Sequence, residues 1–136
     1  MKTKKSWADK LNDPKPHEVK LAPINIAGMK AGQMMLVPSA KIVDAFIRTI
    51  PKGTSVDVKT LRHKLTRKYG AEVTCPITTG FHLKTVAEAA NEALEGGAKL
   101  SDVAPIWRVL DAHSPTTKRL TCGPGFITKH RAREGL

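Results

Sequence analysis

Apolar residues recur every three to four positions in several stretches of the chain, which is the spacing of one face of an α-helix. The first stretch follows Ser39, a predicted N-cap, and stops at Pro51 and Gly53. Its predicted inward face consists of Ile42, Val43, Phe46, Ile47 and Ile50. The pattern therefore predicts a core helix between Ser39 and Pro51.

Two more helices are predicted downstream of this one. Asp57 can cap a second helix, which Gly70 ends, and a third, alanine-rich helix is predicted from about Phe81 to Glu95. The inward positions of the second helix are Val58, Leu61, Leu65 and Tyr69. Two helices in tandem are compatible with a helix-turn-helix, although residues 71–80 form a longer connection than that motif usually has.

The chain before residue 38 has a different pattern. Pro14, Pro16 and Pro23 interrupt any long helix, so residues 1–37 are predicted to form a basic N-terminal arm with one short turn around Ser6 to Leu11. A short strand is predicted over Gln33 to Val37. The domain proper is then 38–136.

The segments after the third helix complete a mainly α fold with a few short strands. Residues 106–110 are predicted to be extended, and residues 111–117 to be a polar loop. A last helix is predicted from about Phe126 to Glu134.

The charge of the chain favours a polyanionic partner. It has 23 Lys and Arg against 12 Asp and Glu, a formal net charge of +11, and nucleic acid is the leading candidate for such a protein. Two groups of cations are the predicted phosphate contacts, one on the second helix and one in the C-terminal tail. They are Lys59, Arg62, Lys64, Arg67, Lys68, Lys129 and Arg131.

The remaining composition limits the cellular setting and the chemistry. Cys75 and Cys122 are too few for a disulfide framework and have no metal-ligand spacing. No apolar run approaches the roughly 20 residues that a membrane span needs. We expect a cytoplasmic protein without a metal, a cofactor or a membrane partner.

An ordered set of segments resembles the DNA-binding domain of the alkylguanine-DNA alkyltransferases. The set begins with Ile50-Pro51-Lys52-Gly53 and the end of the Ala-rich helix, and continues with Pro105-Ile106-Trp107-Arg108-Val109-Leu110. It ends with Leu120-Thr121-Cys122-Gly123 and Glu134-Gly135. The resemblance covers roughly residues 38–136 and implies a winged-helix-like helix-turn-helix domain that binds the DNA minor groove.

The family's reactive residues are replaced in this chain. In the family, a Cys in a Pro-Cys-His-Arg motif accepts the alkyl group, and by position this Cys falls on Ile106 and the His on Trp107, while Arg108 is kept. Because neither Ile nor Trp can supply a thiolate or its base, alkyl transfer is not expected here. Glu134 matches the acid that supports the His and is expected to have nothing left to orient.

The closest expectation is the group of alkyltransferase-like proteins, which recognise alkylated guanine without repairing it. Pro105, Ile106, Trp107 and Arg108 would line the old alkyl pocket, and a flipped base could stack on Trp107; the alternative is that Trp107 fills the pocket as a core plug. The expected partners are double-stranded DNA and repair proteins. The family's intercalating Arg falls on Glu88, within an acidic segment over residues 71–106 that would repel phosphates.

Two other functions stay open. The chain could be a degenerate alkyltransferase fold that serves as a protein-interaction module, with the acidic third helix docking a basic partner and only non-specific affinity for nucleic acid. It could also be an enzyme that uses Cys75 or Cys122. Of the two, Cys122 lies within the cationic tail and is the better placed for a lowered thiol pKa.

Overall fold

Helices make up most of the regular structure, with a small three-stranded sheet, as the pattern predicts. The computed structural model describes residues 6–136, so the first five residues of the predicted arm lie outside the described part. The helices are α1 (Trp7–Leu11), α2 (Ala40–Arg48), α3 (Val58–Lys68), α4 (Pro76–Glu95), α5 (Pro115–Lys118) and α6 (Gly125–Arg133). The strands are β1 (Glu18–Leu21), β2 (Met34–Val37) and β3 (Val73–Thr74), and two 3-10 turns span Leu100–Asp102 and Ile106–Arg108.

Helices α2 and α3 begin where their predicted caps stand. The hydroxyl oxygen of Ser39 accepts a hydrogen bond from the Ile42 N–H at 3.3 Å, and the Asp57 carboxylate accepts one from the Thr60 N–H at 2.7 Å. Each bond satisfies an N–H that the helix itself leaves without a partner. The predicted inward residues are buried or half-buried, and they pack in one core with Leu83 and Val86 of α4.

Helix α4 begins at Pro76, five residues before the predicted start, so residues 71–80 are not all connection. Proline suits the first turn of a helix because its missing N–H has no partner there in any case. The Thr79 hydroxyl donates to the Cys75 carbonyl at 2.7 Å, so this threonine is satisfied inside the helix. The link between α3 and α4 is therefore residues 69–75, and β3 lies within it.

The segment predicted as an arm contributes two of the three strands. Strand β1 pairs with β2 in antiparallel fashion, and β2 pairs with β3 in parallel. The prediction of a short strand before residue 38 is thus confirmed, while β1 had no counterpart in the prediction.

The short helix α1 confirms the turn predicted over Ser6 to Leu11, and it packs on α4. The Glu92 carboxylate accepts hydrogen bonds from the backbone N–H groups of Trp7 and Ala8, at 3.1 and 3.2 Å. The Lys10 and Lys84 ammonium groups lie over the Trp7 ring, 4.1 and 5.2 Å from its centroid. These contacts attach the start of the described chain to α4.

None of the helices between residues 6 and 136 combines the length with the apolar character that a bilayer-spanning helix requires.

Candidate functional site

Ile106–Arg108 form a 3-10 turn with Ile106 and Trp107 buried, and the prediction of an extended piece over residues 106–110 is wrong. The backbone hydrogen bonds are local: the N–H of Arg108 donates to Pro105 and that of Val109 to Ile106. The side chains of Ile106, Trp107, Val109 and Leu110 are all buried, so there is no alternation between core and solvent. A strand needs a partner strand and two distinct faces, and this segment has neither.

The carboxylate of Glu134, just after α6, joins this turn to the rest of the protein. It accepts a hydrogen bond from Trp107 Nε1 at 2.6 Å. It also forms an ion pair with Arg108, whose Nε and Nη2 lie 2.8 and 2.9 Å from the two carboxylate oxygens. It also accepts from the backbone N–H of Gly53 at 2.9 Å. Gly53 has φ +80°, a conformation that favours glycine, so the residue type lets the turn after α2 present its N–H here.

The expectation that Glu134 has nothing to orient is therefore wrong. The indole N–H of Trp107 takes the place at Glu134 that an imidazole N–H could take, and Arg108 adds a bidentate contact. Arg108 Nη1 also donates to the Ile50 carbonyl at 2.6 Å. One carboxylate thus holds Trp107 and Arg108 in fixed positions.

These contacts change the pKa of Glu134. Burial alone would raise it and is the largest single influence, but the hydrogen bonds from Arg108, Gly53 and Trp107, with the charge of Arg108, outweigh burial and lower the pKa from 4.5 to about 2. The ionised carboxylate is therefore the form that the fold stabilises.

We expect an acid-sensitive contribution to stability from this carboxylate. Because its folded pKa lies below the unfolded value, the contribution is complete above pH 4.5 and is lost as the pH falls towards about 2. Its size is about 3 kcal/mol. Urea unfolding at a series of acidic pH values measures it, and Glu134→Gln should flatten the curve over this window. An equally steep acid limb in Glu134→Gln would contradict the assignment.

Trp107 is 2% exposed and is stacked between the turn and α6. Its ring lies 4.5 Å from that of His130 in a stacked arrangement and 6.2 Å from that of Phe126 edge-on. In this conformation a base cannot stack on Trp107 unless His130 is displaced. The arrangement agrees with the alternative that Trp107 is a core plug.

A cleft of about 670 Å³ nevertheless opens beside this turn. Pro105, Trp107, Arg108 and Glu134 form one side of it, whereas Ile106 is fully buried and does not reach it. Three of the four predicted pocket residues therefore share one cleft. The other walls come from the end of α2, the first 3-10 turn and α6.

The predicted phosphate contacts differ in their exposure to solvent. Exposed at the surface are Lys59, Lys64, Arg67, Lys68 and Lys129. Arg62 is half-buried, with an Nε that has no partner in the described chain. Arg131 is committed to the interior through Nη1, which donates to the carbonyls of Trp107 and Leu110 at 2.8 and 3.2 Å.

Glu88 does not occupy a surface where DNA or a partner could meet it. It is 2% exposed, and its carboxylate accepts from Lys84 Nζ at 3.3 Å and from the hydroxyl and backbone N–H of Thr121 at 3.0 and 3.2 Å. Glu92, as described above, caps α1. Of the acids on the predicted acidic face of the third helix, Glu88 is buried, Glu92 is half-buried and Glu95 is exposed. The large apolar side chains that α4 exposes are Ile77 and Phe81.

Neither cysteine has the surroundings of an activated thiol. Burial, followed by the nearby Glu88 carboxylate, raises the pKa of the Cys122 thiol, so the expectation of a lowered value is wrong. The positive charges of the tail do not reach it as strongly as the acids of α4 do. Cys75 is buried and caps α4 through its sulfur.

Between residues 6 and 136, no three His, Cys, Asp or Glu side chains lie close enough together to hold a metal ion. Comparison of the chain with protein-family models, with curated protein sequences and with solved structures gave no match.

Proposed function

We propose that this protein binds double-stranded DNA without catalysing a reaction on it, and that the cleft beside Trp107 and Arg108 takes part in recognising an alkylated or extruded nucleotide. The winged-helix-like helix-turn-helix arrangement and binding in the minor groove belong to this proposal. The observation that carries it is the row of exposed cations on α3.

That row consists of Lys59, Lys64, Arg67 and Lys68, all exposed on one helix of eleven residues. No carboxylate between residues 6 and 136 forms a salt bridge with any of them. Cations without local partners remain available to phosphates, and each neutralised phosphate releases counterions. Because Glu88 is buried and Glu92 is bonded to the backbone of α1, the repulsion expected from an acidic α4 is also weaker than the sequence alone suggests.

The absence of a nucleophile at residues 105–108 supports binding without chemistry. Ile106 stands where the family has its Cys, and the raised pKa of Cys122 leaves that thiol protonated near neutral pH. The exposed apolar pair Ile77 and Phe81 on α4 has the character of the side chains that minor-groove proteins press against base steps.

Duplex binding should depend steeply on salt. We expect that replacing Lys59, Lys64, Arg67 and Lys68 together by Gln lowers the affinity for a short duplex and reduces the slope of log K against log salt by about 3–4. Fluorescence anisotropy over a salt series measures both quantities.

A matched control variant has the same net charge as the α3 variant. Replacing the exposed residues Lys30, Lys41, Lys99 and Lys118 by Gln removes four charges outside α3 and should leave most of the slope unchanged. If the two variants lose affinity and slope equally, α3 is not the DNA-binding face. If the unmodified protein shows a flat slope, cations do not contact the DNA phosphates and the proposal fails.

The same titrations test lesion recognition. A duplex that carries an O-methylated guanine should bind more tightly than the unmodified duplex if the cleft recognises the base. Equal affinity would leave only charge-driven binding.

A protein-interaction module is the second candidate, and one observation favours it. Strand β1 is an edge strand with all four residues exposed, and Leu21, at 63%, is among the most exposed aliphatic side chains. A flat salt slope, combined with binding of a protein partner through β1, would favour this function over DNA binding.

A further inference from the structure

Strand β1 leaves the outer edge of the sheet open. Among the described strands it pairs with β2 alone, and the strand order is β1-β2-β3. The N–H of Ala22, just after β1, donates to the carbonyl of Gln33, just before β2, at 2.8 Å. Because successive residues of a strand direct their backbone groups to opposite edges, Val19 and Leu21 direct their N–H and C=O groups away from β2. The outer edge therefore offers the donors and acceptors that a further strand needs.

Val19 and Leu21 also belong to an apolar strip on the surface of the sheet. Val19 stands opposite Leu36 and Leu21 opposite Met34. Residues that stand directly opposite each other have their side chains on the same face, so all four share one face. Leu36 is buried in the helical core, whereas the other three side chains are between 38% and 63% exposed. The core face of the sheet thus continues beyond the helices as an exposed apolar strip, which is typical of a contact surface.

The charges on the other face of β1 favour one alignment for two antiparallel copies. Lys20 Nζ lies 3.3 Å from Glu18 Oε1, and both side chains are half-exposed or more. If Val19 of one copy stands opposite Val19 of the other, Glu18 of each copy stands opposite Lys20 of the other. The two Val19 residues then exchange both bonds of a hydrogen-bonded pair, and Leu21 of each copy does the same with His17 of the other.

The other alignments are less favourable. A centre at Glu18 or at Lys20 places two like charges directly opposite each other, which destabilises the pairing. A centre at Leu21 places Val19 opposite Pro23, which has no N–H to donate. Of the centres within β1, the one at Val19 combines complementary charges with a backbone donor at every outward position.

We infer that two copies of this chain associate through β1, antiparallel and centred on Val19, so that their sheets form one continuous sheet across a two-fold axis. The same edge is used on both copies, as a two-fold interface requires. The contact is short, so we expect a weak dimer with a dissociation constant on the order of 10 µM. A second copy thus occupies the edge for which the interaction-module candidate specifies no partner, and the inference does not rest on DNA binding.

Sedimentation equilibrium of the full chain measures this association over a concentration series of about 1–500 µM. The average mass should rise from the monomer value of 14.8 kDa towards twice that value. An average mass that stays at the monomer value throughout the series overturns the inference.

Exchanging the charges of β1 tests the alignment. Glu18→Lys and Lys20→Glu each place like charges opposite each other in a dimer of the variant, so each should weaken association by about 10-fold. An equimolar mixture of the two variants places opposite charges at both positions and should associate as the unmodified protein does. The alignment is wrong if Glu18→Lys associates as tightly as the unmodified protein, or if the mixture does not associate.

Two control variants change the same charges away from the edge. Glu95→Lys and Lys99→Glu alter exposed side chains outside the sheet and should leave the association unchanged. Val19→Pro tests the backbone, because it removes an outward N–H that β2 does not use, and it should also weaken the dimer. Urea unfolding of each variant in dilute solution checks that the fold is kept. If the control variants weaken association as much as the β1 variants do, the inference is wrong.

The inference and the proposed function can fail separately. A monomer that binds duplex DNA with a steep salt slope overturns only the dimer. A dimer with a flat salt slope leaves association through β1 in place and overturns the DNA-binding proposal.

Discussion

Replacing Glu134 by Ala is expected to lower the free energy of unfolding by about 3–5 kcal/mol. The side chain of Glu134 is 6% exposed and that of Arg108 15%, so the change leaves a guanidinium largely shielded from water with only the Ile50 carbonyl as a partner. It also leaves the indole N–H of Trp107 and the backbone N–H of Gly53 without their acceptor. Urea unfolding near neutral pH measures the loss.

The control for this substitution is the ion pair between Asp44 and Arg48. Here the Arg48 side chain is 43% exposed, and Asp44→Ala should lower the free energy of unfolding by less than about 1 kcal/mol. Glu134→Gln keeps an acceptor oxygen and should fall between the two. A loss below about 1 kcal/mol in Glu134→Ala would contradict the view that this carboxylate holds the turn in place.

Replacing Trp107 by Ala is expected to have a similarly large effect, about 3–5 kcal/mol. Trp107 is among the largest fully buried side chains, and its ring packs against His130 and Phe126. The change leaves a cavity between the turn and α6 and also removes a donor to Glu134. Thermal and urea unfolding both report it.

Trp107→Phe separates the contribution of the packed ring from that of the N–H donor. It keeps an aromatic ring in the core and removes the N–H group, so its loss should be about 1–2 kcal/mol. A small loss in Trp107→Ala would mean that the ring is loosely packed and free to accept a stacked base. That result would favour a base-binding role for Trp107 over a structural one.

The helices with regular apolar spacing and a capping residue could be predicted from the sequence. Ser39 and Asp57 predict the starts of α2 and α3, because a cap is a local interaction between residues three positions apart. The start of α4 was missed because threonines and a proline are typical of turns as well as of a first helical turn. Helix α5 was missed for the same reason, since it begins with Ser114-Pro115 in a polar stretch.

The candidate site was only partly predictable. Local sequence marked the segment around Pro105 to Arg108, and family resemblance marked Glu134, but their contacts join residues far apart in the chain. The roles of Gly53 and Arg131 could not be predicted from the sequence. Gly53 contributes only its backbone N–H and Arg131 resembles any surface cation, so both join the site only through the fold. The pairing of Glu88 with Thr121 is likewise long-range, which is why an acidic surface was expected where the protein has a buried carboxylate.

The parallel pairing of β2 with β3 bears on how the chain reaches its native state. The two strands are separated by residues 38–72, which include all of α2 and α3, so they can meet only after this whole crossover has been brought together. Closing a loop of that length loses chain entropy before any strand contact is gained. Helices α2 and α3 can form early from local contacts, whereas the sheet, and with it the attachment of β1, should be the late step of folding.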